Sequence, residues 1–165
     1  MSAELNSALA QSGHLLESGE GDYAVDGFHH VHTCAPETIA PIVGVFREAG
    51  CFLEMITAVD LRFVEEGVFR LVYTFNHFEV ADRHRIHVDV KEDASVPSVV
   101  SCFPAADWME REVYDMYGII FSDHPDLRRI LLPEDADFHA LRKDFGQMNP
   151  ESEETAEEAE EGGDE

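Results

Sequence analysis

Apolar positions recur at two distinct periods along this chain, and the switches between them outline its elements. Ile39, Ile42, Val43, Phe46 and Ala49 fall at steps of three and four, which predicts an amphipathic helix after Pro36. Gly50 suits the left-handed position beyond its end, and Pro41 lies within its first turns, where a missing amide costs least. The period then changes to two. Cys51, Leu53, Met55, Val59 and Leu61 are set against Glu54 and Asp60, and Glu65, Glu66 and Gly67 offer a turn. Phe69, Leu71, Tyr73 and Phe75 alternate with Arg70, Thr74 and Asn76; Ile86, Val88 and Val90 alternate with Arg85, His87 and Asp89. Each predicts a strand with one apolar face. Helical spacing returns over residues 98–117, with Phe103, Ala106, Val113 and Met116 on one side and Gly118 placed to stop the helix.

Towards the N-terminus the pattern weakens. Leu5, Leu9 and Leu16 suggest a short helix running into a loop at residues 18–21, and residues 23–32 have enough aromatic and β-branched character for a strand. Together these predict an α+β fold: a mainly antiparallel sheet with helices packed on one face. The predicted divisions are an N-terminal helix and loop (1–21), an α+β domain (22–118), an extended docking segment (119–148) and a disordered acidic tail (149–165).

Charge sharpens the picture. The 165 residues carry 35 Asp and Glu against 11 Lys and Arg, a net charge of −24, which repels phosphate backbones and anionic lipid and argues against nucleic-acid binding. Nine of the acids lie within residues 151–165, a run too polar to bury enough surface to offset its chain entropy. The remainder is still strongly acidic, and composition leaves salt adaptation and a merely solubilising surface both open. Cys34, Cys51 and Cys102 never form C-x-x-C and suggest no disulfide framework or cluster cage. No apolar run approaches the roughly 20 residues of a spanning helix, and no secretory leader is evident, which points to the cytoplasm.

Candidate chemistry is sparse. Of nine histidines, His29, His30 and His32 form the one tight cluster, with no acid evidently beside them, so strand-packed histidines are favoured over a metal site. Glu112 and Asp115 are neighbours on a helix surface, but Arg111 beside them makes an ion-pair network the better reading than acid–base catalysis. No nucleophile turn, dinucleotide loop or phosphate loop is present. An autonomous enzyme and a free binding module with an acidic tail stay as rivals to a scaffold.

Residues 119–145 interleave Leu and Ile with Arg128, Arg129, Arg142 and Lys143 between prolines. That composition suits a segment laid across another protein, or one wrapped back on its own domain. Here the sequence also resembles a known family. Glu110-Arg111-Glu112, Asp115, Gly118-Ile119, Phe121 and the run His124-Pro125-Asp126-Leu127-Arg128-Arg129-Ile130-Leu131 are similar to the signature of the 30 kDa subunit of respiratory NADH:quinone oxidoreductase (complex I) and the matching subunits of energy-converting hydrogenases. His139-Ala140-Leu141-Arg142-Lys143-Asp144-Phe145 follows the family's P-L-R-K-D-aromatic run except at Ala140, and Thr57-Ala58-Val59-Asp60 also fits, so the likeness covers residues 36–145.

The resemblance implies a non-catalytic scaffold of the peripheral arm, on the cytoplasmic side of the inner membrane and bound to it only through the complex. Glu110, Arg111, Glu112, Asp115, His124, Asp126, Arg128, Arg129, Arg142, Lys143 and Asp144 would organise the docking segment and its contacts with the quinone-site and iron–sulfur subunits. No cofactor or metal is expected in this chain; FMN, iron–sulfur clusters, NADH and quinone would belong to partners. Membership of a complex I or of a hydrogenase complex is left open by these residues.

Overall fold

The computed structural model describes residues 2–64 and 67–146, so the predicted acidic tail, and Glu65 and Glu66 of the predicted turn, lie outside the described residues. In chain order the elements are α1 (Ser2–Ser12), β1 (Leu15–Glu20), α2 (Tyr23–Asp26), β2 (His30–Cys34), a 3-10 turn (Pro36–Thr38), α3 (Ile39–Glu48), β3 (Cys51–Asp60), β4 (Val68–His77), β5 (His84–Lys91), β6 (Ser95–Pro97), α4 (Ala106–Tyr117) and β7 (Ile120–Ser122). This is an α+β fold, and the helix over 39–48 and the strands over 51–60, 68–77 and 84–91 stand where the periodicity places them; the helix closed by Gly118 does too, but it begins only at Ala106, after Pro104, and residues 98–105 are not helical.

Five strands form one sheet in the order β1-β2-β5-β4-β3, and β6 pairs with β7. β2 runs parallel to β5 while the other three pairs of the large sheet are antiparallel, so the sheet is mixed. Phe69, Leu71, Tyr73, Phe75, Ile86, Val88 and Val90 line its apolar face, all essentially solvent-free. α3 and α4 lie on that face: Phe46 stacks on Phe75 with ring centroids 4.4 Å apart, and Tyr117 meets Phe69 edge-on at 6.2 Å. α1 adds Leu5 and Leu9 to the same core.

Three other predicted details are corrected. Residues 18–20 are strand and not loop, because residues 15–20 form β1, an edge strand antiparallel to β2. Its side chains are almost all exposed, so backbone pairing holds it and no hydrophobic alternation marks it. Residues 23–32 are not one strand. The Asp22 carboxylate accepts the Ala24 amide and starts a single helical turn, Gly27 ends it at φ 72°, and the strand begins only at His30. Finally, the register of β3 against β4 jumps from Leu53↔Phe75 to Met55↔Thr74. This bulge reverses the alternation, turning Ile56, Ala58 and Asp60 inward and Met55 and Val59 outward, opposite to the predicted phase.

Candidate functional site

Residues 123–146 contain no helix or strand, yet they follow a defined path across α4 and the end of β3. Two buried carboxylates fix that path. Asp115, on the inner side of α4, has no solvent exposure. Its Oδ2 accepts the amides of Ile130, Leu131 and Leu132 at 3.0, 2.7 and 2.9 Å, and Arg129 donates to its Oδ1 at 2.7 Å. Burial alone would raise the Asp115 pKa, but these donors prevail and hold it at about 2. Arg129 also spans to the carbonyls of Ala136 and Phe138, closing the next turn of the segment.

Asp60 is the second anchor. The bulge that turns it inward sets it against Arg62, which donates to both of its oxygens at 3.1 and 2.8 Å, and the Lys143 amide reaches it at 2.9 Å across 83 positions of sequence. The Arg62 hydrogen bond is the main reason its carboxyl lies at about 2. Arg62 further contacts Glu92 and Asp144 at 2.9 Å each, and Arg142 bridges Glu92 at 2.8 Å to the Tyr117 carbonyl at 2.6 Å.

The site residues expected from sequence thus divide by position. Glu110, Arg111 and Asp115 are buried and spend their polar atoms within the chain. Glu110 accepts the Ser98 hydroxyl and the Val99 amide, both at 2.7 Å, and burial pushes its pKa up to about 7 against those bonds. His124, its side chain wholly enclosed, lies 3.8 Å from Glu110 and 3.5 Å from Asp107. Arg111 donates to the Arg128 carbonyl and sits over the exposed Trp108 ring. Glu112, Asp126, Arg128, Lys143 and Asp144 face solvent, with Arg128 paired to Asp126 at 2.9 Å. Glu112 and Asp115 therefore point to different sides of α4 and form no carboxylate pair.

Sequence reasoning did not assign a site role to Asp60, Arg62, Glu92 or Ser98: Asp60 appeared only within the family likeness, and the contacts that matter, such as Lys143 to Asp60 and Arg142 to Glu92, join positions 83 and 50 apart. With the polar groups turned inward, the apolar ones are left outside: Trp108, Leu131, Phe138, Leu141 and Phe145 are all exposed. Among the described residues, one group of metal-ligating side chains converges, His30, Asp82 and His84, with donor atoms within 4.8 Å of one another.

The family described as the 30 kDa subunit of respiratory-chain NADH dehydrogenase matches residues 32–151. A Rhodobacter capsulatus protein, named as a subunit of NADH-quinone oxidoreductase, is 47% identical over 118 residues, covering 68% of this chain and 58% of that one. One of the same name from Parvibaculum lavamentivorans is 40% identical over 152 residues, covering 86% and 74%. The chain therefore spans about half to three quarters of the length of these relatives. A chain in the solved structure of a membrane-bound sulfane sulfur reductase, an archaeal respiratory membrane complex, shares the fold with a TM-score of 0.75 at 20% identity, over 93% of this chain and 91% of that one.

Proposed function

Because the chain belongs to the 30 kDa-subunit family of respiratory-chain NADH dehydrogenase, we propose that it is a non-catalytic scaffold subunit in the peripheral arm of a proton-translocating NADH:quinone oxidoreductase. In this reading residues 119–148 are its docking segment, seated against the quinone-site and iron–sulfur subunits on the cytoplasmic side of the membrane. FMN, clusters, NADH and quinone reside in those partners. No helix among the described residues is long and apolar enough to cross a membrane, which agrees with attachment through partners. The names of the relatives favour this complex over an energy-converting hydrogenase.

The observation that carries the proposal is the inversion of the segment. Asp115, Asp60, Arg129 and Arg142 engage its backbone and charged groups inside the chain, while Leu131, Phe138, Leu141 and Phe145 are exposed on the same tethered segment. Exposed apolar side chains, with Phe138 and Phe145 stacked 4.9 Å apart, on a segment that also exposes Asp126, Arg128 and Lys143 have the make-up of an interface.

The double variant Leu131→Ser, Leu141→Ser tests this. Both side chains are more than half exposed, so the isolated chain should lose less than about 0.5 kcal/mol each in urea unfolding. The variant should fail to co-purify with quinone-reducing activity from detergent-solubilised membranes. Normal co-purification and NADH:quinone activity would remove the segment from the interface.

A further inference from the structure

Far from the docking segment, the parallel pairing of β2 with β5 places His30 beside His84 in register, and Asp82 precedes β5 by two residues. From this convergence we infer that His30, Asp82 and His84 form a binding site for a divalent metal of zinc type.

The distances have the right scale. Asp82 Oδ1 lies 3.4 Å from His30 Nε2 and 3.2 Å from His84 Nε2. Donors held about 2.0–2.1 Å from a tetrahedral zinc are separated by about 3.3 Å, so both edges fit an ion with little movement. Two imidazoles and one carboxylate are a donor set that zinc accepts and that magnesium and calcium, which take oxygen, do not favour.

The setting of His84 adds to these spacings. Its ring is fully buried, and its Nε2 meets the Asp82 carboxylate at 3.2 Å without a well-aligned hydrogen bond. A metal ion at the centre of the three donors would satisfy that nitrogen and the carboxylate together. The other nitrogen of the same ring is already held: His84 Nδ1 lies 3.1 Å from His32 Nε2, and His32 Nδ1 lies 2.9 Å from Ser18 Oγ. That chain orients the imidazole from behind, as supporting hydrogen bonds do for metal-bound histidines.

The fourth position has a donor near it. Asn6 on α1 has its amide nitrogen 3.2 Å from His30 Nε2, and its Oδ1 is buried without a partner. Turning that amide over presents the oxygen to the site and leaves the His30 nitrogen to the metal; otherwise water takes the position. Entry is through a groove beside α1 and α3 that reaches Asp82 and is lined also by Glu4, Glu48 and His77. Zinc is redox-inert, so such a site is compatible with a subunit that carries no electrons.

The test uses the full chain, free of any affinity tag, stripped of metal and titrated with zinc in the presence of excess magnesium to occupy scattered carboxylates. One zinc per chain should bind with a Kd of about 1 µM or tighter, raise the melting temperature, and show imidazole scattering from two histidines in X-ray absorption. His30→Gln and Asp82→Asn should each weaken binding at least tenfold and abolish the thermal gain. Should either variant fail to fold, proton–nitrogen NMR of the wild-type rings must show His30 and His84 shifting together at one equivalent of zinc. Zinc bound without imidazole, variants that bind as the wild type, unshifted rings, or no binding tighter than about 100 µM would each show that the three residues are only an ion-paired cluster.

Discussion

Glu110 shows how a single buried group makes stability depend on pH. Its folded pKa of about 7 lies above the ordinary 4.5, so the fold favours the protonated form. That contribution is fully present below pH 4.5 and is lost as the pH rises through 7, at a cost on the order of 3 kcal/mol. Glu110→Gln keeps a neutral side chain able to accept the Val99 amide and to bond Ser98. In urea unfolding the variant should match the wild type near pH 4.5 and exceed it at pH 8, with the gap opening between; parallel curves would contradict the burial argument. Asp60 and Asp115 work in the opposite sense, since both sit at about 2 against an ordinary 3.8. Their stabilisation is present above pH 3.8 and lost as the pH falls towards 2. At this scale the family signature marks which residues matter without revealing what they touch. Glu110, Arg111 and Asp115 stand out in the sequence, but Asp60 reads as a solvent-facing acid because the bulge that turns it inward has no mark in the alternation.

Among the elements, those that bury a full face were legible: α3, α4, β4 and β5 follow their apolar periods, and β3 does so only as far as its bulge after Leu53. β1 and α2 were not, because their side chains are mostly exposed and their causes are backbone pairing and a capping carboxylate. The parallel β2–β5 contact joins strands more than fifty positions apart, which local spacing does not encode. The end of α4 is both legible and tightly constrained. Gly118 adopts φ 78°, and a Cβ there would come within 2.6 Å of Arg142 Nη2 and of His139 Nε2. Gly118→Ala should therefore cost about 1 kcal/mol in backbone strain and about as much again by displacing those two side chains. Limited proteolysis should then cut within residues 139–146 while amide exchange in β4 and β5 stays slow. Unchanged cleavage would mean that the segment does not depend on this close approach.

For the whole molecule, the net charge of −24 opposes compaction. The anchoring pairs around Asp60 and Asp115 are largely buried and are screened far less than the surface repulsion. Raising sodium chloride from 20 mM to 0.5 M should accordingly increase the melting temperature by several degrees; a decrease would mean that exposed ion pairs dominate instead. The Lys143 amide reaches Asp60 across 83 positions of sequence, so the far end of the strap is fastened to a strand that only the folded sheet holds in place. Its last turns thereby report on the sheet: with β3 unformed, Asp60 is not in position to take the Lys143 amide, and Leu141 and Phe145 on either side lose that tether.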